Sequence, residues 1–217
     1  MRLRLQTSRN RSRYDEVILN YQRREERIIL NASYTLAWAY GYGGSIGACT
    51  ICAVQTPQPV NQDAFFGPGE WGPATTDQRH RFVASGIVNL WWGIQAAPVF
   101  QIGSPMPYNL VAGIDLNGDG TNNDHYITPT THLPVSTNSA RGIWDYDLDL
   151  RVTKLINLWS EKRKLGLFAE GYNLTNKANF GNVFGGNARS STFEQPVGYL
   201  AGLPTSRQLQ LGARITF

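Results

Sequence analysis

The chain has 217 residues, 41% of them hydrophobic and 17% charged, which is the composition of a globular domain and excludes wholesale disorder. Its longest apolar runs, Leu36 to Tyr40 and Ala96 to Phe100, are far shorter than the roughly 20 residues of a spanning helix, so no transmembrane helix is expected. The formal charge of +4 sits wholly within residues 1–27, where eight arginines face four acids; the rest balances, and a basic face for nucleic acid is not expected.

In chain order, the arginine-rich start lacks the apolar stretch of a secretory signal as written, which points either to a cytosolic protein or to a missing beginning. A weak alternation from Tyr14 to Arg23 predicts a first strand, followed by a short turn at Arg23–Glu26. From Ile28 the alternation is strong: Ile28, Leu30, Ala32, Tyr34, Leu36, Trp38 and Tyr40 on one face, mostly small or polar residues on the other. Cys49 and Cys52 fall in a glycine-rich loop within 43–79; they are too few for a disulfide framework, and they are as well explained by an incidental pair as by a local disulfide.

Strands follow near His80 to Leu90 and from Trp92 to Gly103, joined by a short turn at Trp91 and Trp92. The loop of about residues 112–143 contains Asp115, Asn117, Asp119, Thr121 and Asn123 at positions 1, 3, 5, 7 and 9 of an EF-hand-like pattern, with Gly120 at position 6. Position 12 is Tyr126 rather than glutamate, although Asp124 adds a carboxylate. Calcium held by Asp115, Asn117, Asp119 and Asp124 is one reading, and ordinary Asp/Asn/Gly turn chemistry is the other.

The sharpest alternation is Trp144, Tyr146, Leu148, Leu150 and Val152 against Asp145, Asp147, Asp149, Arg151 and Thr153. Carboxylates are costly in hydrocarbon, so in a membrane barrel the acidic face would meet a water-filled lumen. Asp145, Asp147, Asp149 and Arg151 are therefore candidate lumen-facing residues, lining a path or forming cross-strand pairs with basic neighbours such as Arg151 and Arg163. After a turn at Asn157–Lys162 comes a weaker strand from Lys164 to Asn176, a loop of about 177–206, and a last alternating strand ending at Phe217.

The fold expected is all-β: an antiparallel meander of about seven to eight long strands, forming a partial transmembrane β-barrel. Short turns gather at one end and long, floppy loops at 43–79, 112–143 and 177–206 at the other, as in outer-membrane barrels. Trp91, Trp92 and Trp159 at the short turns, and Trp38, Tyr40, Tyr42, Trp144 and Tyr146 near the long loops, are placed as aromatic girdles. His80, His125 and His132 are the only histidines, and none lies in a recognisable catalytic motif, so no enzyme is expected.

The last eight residues, Gln210-Leu211-Gly212-Ala213-Arg214-Ile215-Thr216-Phe217, resemble the signal that outer-membrane proteins present to their barrel-assembly machinery, with Gly212, Ile215 and Phe217 at its marked positions; Ile215 stands where an aromatic residue is commoner. Asp77-Gln78-Arg79-His80-Arg81-Phe82, Gly103-Ser104-Pro105-Met106-Pro107-Tyr108, Asp115-Leu116-Asn117-Gly118-Asp119-Gly120 with Asn123-Asp124, and Glu170-Gly171-Tyr172-Asn173-Leu174-Thr175-Asn176 with Asn179-Phe180 resemble, in that order, the C-terminal part of Oar-like TonB-dependent receptors. Arg11-Ser12-Arg13-Tyr14-Asp15 and Asn31-Ala32-Ser33-Tyr34-Thr35-Leu36 fit the same family.

The resemblance covers nearly the whole chain, loosest in the long loops; it implies that residues 1–217 are one C-terminal barrel segment, with an outer-membrane location, lipid and the assembly machinery as partners, and uptake of a ligand it does not identify. In that family the plug and the TonB-contacting segment are N-terminal, and neither is recognisable here. Its plugged barrels have about 22 strands, so the chain is expected to be a fragment of about one third. Two other readings stand beside it: a small stand-alone structural or adhesive outer-membrane barrel with residues 1–6 adding a strand, and a soluble β-rich binding module.

Overall fold

The computed structural model describes residues 11–42, 66–158 and 160–216, with backbone alone at 160–162. Ten strands follow in order: β1 (Ser12–Arg24), β2 (Ile28–Tyr42), β3 (Trp71–Pro73), β4 (His80–Asn89), β5 (Ile94–Gly103), β6 (Pro107–Tyr108), β7 (Ala140–Arg141), β8 (Asp145–Leu158), β9 (Ser160–Tyr172) and β10 (Gln208–Thr216). Among the described residues there is no α-helix, only a 3₁₀ turn at Trp91–Gly93. The protein is all-β.

Seven long strands form an antiparallel meander in the order β1-β2-β4-β5-β8-β9-β10, and β3 pairs with the upper part of β2 as an eighth member. The sheet is not closed: β1 and β10 are its edges. An odd number of meandering strands makes both edge strands run the same way, from the long loops toward the short turns.

Directly opposed residues of an antiparallel pair share a face, so the registers test whether the alternations agree. Val17 opposes Leu36, Tyr34 opposes Phe82, Ala84 opposes Phe100, Phe100 opposes Leu148, Val152 opposes Ala169 and Ala169 opposes Leu211. Most of the large apolar residues of the seven strands therefore fall on one face, with Ile18, Val83, Ile87, Val99 and Leu155 among the minority on the other. The other face carries Asn20 opposite Ser33, Asn31 opposite Ser85, Gln101 opposite Asp147, Arg151 opposite Glu170 and Glu170 opposite Gln210. A slip of one residue in any pair would mix the two faces, which is why the hydrophobic pattern pins the register.

Burial is concentrated elsewhere. Every residue of β1 is exposed, and among the described residues the buried apolar side chains are small or few: Ala37, Ala39, Ala74, Pro107 and Leu110. Above the long-loop end, segments 66–79, 104–144 and 173–207 fold over one another and over the upper polar face as a cap. The described parts of the expected floppy loops are thus ordered by packing. Backbones approach closely there: a Cβ on Gly72 would overlap the Thr137 carbonyl, and one on Gly142 the Gly181 carbonyl. Stacked rings at 5.3 Å join Tyr108 to Phe184 across the cap.

Candidate functional site

The largest fully buried side chains include Glu70, Asp77, Asn173 and Asn179. Buried polar groups must find partners, and here the partners are the unpaired strand edges beneath the cap. β4 leaves β2 at Leu36, so the Ala39 N–H would lack an acceptor; the Asp77 carboxylate supplies one at 2.8 Å. Its other oxygen accepts from Arg141 at 2.7 Å and Arg79 at 3.2 Å. Burial pushes the Asp77 carboxyl up, but the Ala39 N–H and the two guanidinium groups outweigh it and hold it below the ordinary carboxylate value. Arg141 also donates to the Asp77 and Pro105 carbonyls, tying segment 66–79 to the two ends of segment 104–144.

The same device recurs on β8. β9 pairs with β8 only from Leu150 downward, and above it the Asn179 carboxamide accepts from the Tyr146 N–H and donates to the Tyr146 carbonyl, both at 3.0 Å. Leu174 N–H bonds the Leu148 carbonyl, and Asn173 N–H bonds the Asp149 carboxylate at 2.9 Å. Asn173 then secures the turn through its amide, donating to the Lys177 and Pro204 carbonyls and accepting from Lys177 N–H. Elsewhere in the cap, His125 meets Glu70 at 3.1 Å, with both side chains buried.

The candidate lumen-facing residues lie on the polar face, at different depths. Asp145 and Asp147 are buried beneath the cap rather than open to water, with Asp145 accepting from Gln78 at 2.9 Å. Asp149 takes the Asn173 amide just described. Arg151 pairs with Glu170 at 2.9 Å and lays its guanidinium over the Phe168 ring at 4.2 Å. Phe168 in turn covers its opposed neighbour Gly212, where a Cβ would overlap the ring. Gly212 thus has a packing role, while Ile215 points out exposed on the apolar face. Phe217, Cys49, Cys52 and Trp159 lie outside the described residues.

The 115–126 loop spends its oxygen atoms on its own backbone. Asp115 accepts from the N–H groups of Gly118, Asp119 and Gly120, Asp124 from Leu116 and Asn117, Asn117 from Asp119, and Asp119 from Thr121. Gly118 and Gly120 carry φ of 79° and 84°, as the tight path needs. No group of three or more acidic, histidine or cysteine side chains placed to hold a metal occurs among the described residues.

Reading the sequence missed the cap anchors. Asp77, Asn173 and Asn179 stood in the motifs that carried the family resemblance, but alternation says nothing about a side chain that substitutes for a strand. The one signal was a short polar residue within a few positions of a strand end at Asp77 and Asn173, which is also where turn chemistry puts them, and Asn179, seven residues past β9, had none.

The chain is therefore an all-β protein whose open antiparallel sheet has one apolar and one polar face beneath an ordered polar cap. Comparison with protein families, with curated proteins and with solved structures gives no match.

Proposed function

We propose that this chain is the C-terminal barrel portion of a TonB-dependent outer-membrane receptor of the Oar-like type, belonging to a transporter that takes up a ligand through the outer membrane. One observation carries the reading: most large apolar residues of the seven strands fall in register on a single face with no layer packed on it, while the upper part of the more polar face lies beneath the loops. In water such a face lacks a partner layer, whereas lipid would solvate it. The open edges at β1 and β10 fit a sheet continued by further strands, since hydrocarbon offers no partner for unpaired backbone groups. Short turns at one end and a large cap at the other supply further support, as do the motifs from Asp77 to Asn176 and the terminal Gly212, Ile215 and Phe217. On this reading the chain performs no catalytic step, and its partners are lipid, the barrel-assembly machinery and the remainder of the receptor.

Ala84 and Ser85 are adjacent residues in the middle of β4, on the apolar and polar faces respectively. Ala84→Arg should cost about 2–4 kcal/mol of assembly in a bilayer, and Ser85→Arg close to nothing. Heat-modifiable migration and protease protection in vesicles read the difference. Equal tolerance of the two arginines would sink the membrane assignment.

A further inference from the structure

The β4–β5 hairpin turns through Trp91, Trp92 and Gly93, closed by the Ile94 N–H on the Trp91 carbonyl. Trp92 has φ 59° and ψ 27°, and Gly93 has φ 70°, the left-handed pair that a type I′ turn requires and that asparagine, aspartate and glycine favour. A bulky tryptophan in that region is an outlier. The fold gives it no packing in return, since Trp92 is 84% exposed, Trp91 67% and Leu90 43%. Strain held at a residue whose side chain the fold leaves in the open points to a contact outside the chain.

The surrounding charge says what kind. Arg24, Arg27, Arg163 and Lys164 are exposed around the same rim, and Lys154 donates to the Trp92 carbonyl. Among the described side chains the acids there are Glu25, held by Arg23 at 2.7 Å, and Glu26. This end is net positive, whereas the cap holds Asp115, Asp119, Asp124, Asp145 and Asp147 at the opposite end. Tryptophan partitions to the boundary between headgroups and acyl chains, and cations beside it select anionic headgroups. We infer that the short-turn rim seats on an anionic phospholipid surface, with Trp91 and Trp92 at the acyl boundary and the cations on the phosphates; the inference rests on the membrane reading above.

The test dilutes the full chain from urea into phosphatidylcholine vesicles, alone or mixed equally with phosphatidylglycerol, with bromine on shallow acyl positions in half of the samples. The shallow bromines should quench tryptophan, and the Trp91→Ala/Trp92→Gly pair should lose part of that quenching. Trp92→Gly alone should keep the sheet by circular dichroism, because glycine suits the turn, yet hold vesicles more weakly. Arg24→Gln and Arg27→Gln should each weaken binding to the anionic vesicles about fivefold and leave the neutral ones unchanged. Undiminished vesicle binding by Trp92→Gly, absence of shallow quenching, or equal affinity for both vesicle types would overturn the inference. Protease protection separates it from the barrel reading: anionic preference with shallow quenching but no protection supports the rim and overturns the spanning sheet, whereas protection without anionic preference overturns the rim alone.

Discussion

At the scale of single residues, two positions carry more than their neighbours. Asp77 joins the Ala39 backbone to Arg79 and Arg141, and with its folded-state pKa lowered, its contribution is fully present above the ordinary carboxylate value and is lost as pH falls through the lower folded value. The cap should therefore loosen only in acid, followed by near-ultraviolet circular dichroism of the detergent-solubilised protein. Asp77→Asn should cost about 1–3 kcal/mol at neutral pH, moderated because the guanidinium groups stay partly in water, and should diminish that acid step. Gly212 is the second: Gly212→Val sets two methyl groups against the Phe168 ring and should destabilise the β9–β10 pair by about 1–3 kcal/mol in urea titrations. Part of that loss should return when Phe168→Leu is added, which a defect confined to glycine's backbone freedom would not allow.

At the scale of elements, what was legible follows from period. Trp144 to Thr153 and Ile28 to Tyr40 alternate so regularly that the strands, their faces and, once paired, their registers were fixed by the apolar pattern. β3, β6 and β7 span two or three residues each, too short to alternate, and exist because the cap packs over them. For the 115–126 loop the sequence left an ion site and turn chemistry side by side, because spacing cannot tell whether a carboxylate faces an ion or the backbone of its own turn, and here Asp115 faces its own turn. The same blindness hid Asn179, whose carboxamide completes β8 in place of a neighbouring strand. Asn179→Leu should strip the Tyr146 N–H of its acceptor and raise its hydrogen-exchange rate about tenfold or more, with the Leu167 and Leu211 amides unaffected.

At the scale of the molecule, the cap and the sheet are built on opposite principles. The cap is held by buried polar groups and close backbone contact, whereas the sheet below offers large apolar side chains on its outer face, with Leu211 83% exposed and Leu19 62%. A face of that extent drives association in water, so the chain should be insoluble or polydisperse in plain buffer and become monodisperse with detergent. Sedimentation in the two media checks this; a compact monomer in buffer alone would reinstate the soluble binding module.

The shared direction of β1 and β10 sets a parity rule that any closure of the sheet into a ring would have to obey. Two antiparallel seams can close this meander only through an odd number of additional strands. A second identical copy brings seven long strands, also odd, so the count alone allows it; orientation forbids it. Rotating the copy about the barrel axis keeps both caps on one side but sets β1 parallel to the partner's β10. Inverting it restores antiparallel seams and sends the caps to opposite sides. Self-pairing with both caps on one side is therefore confined to mixed-direction seams, and an all-antiparallel ring with a single capped end has to be completed by strands of different sequence.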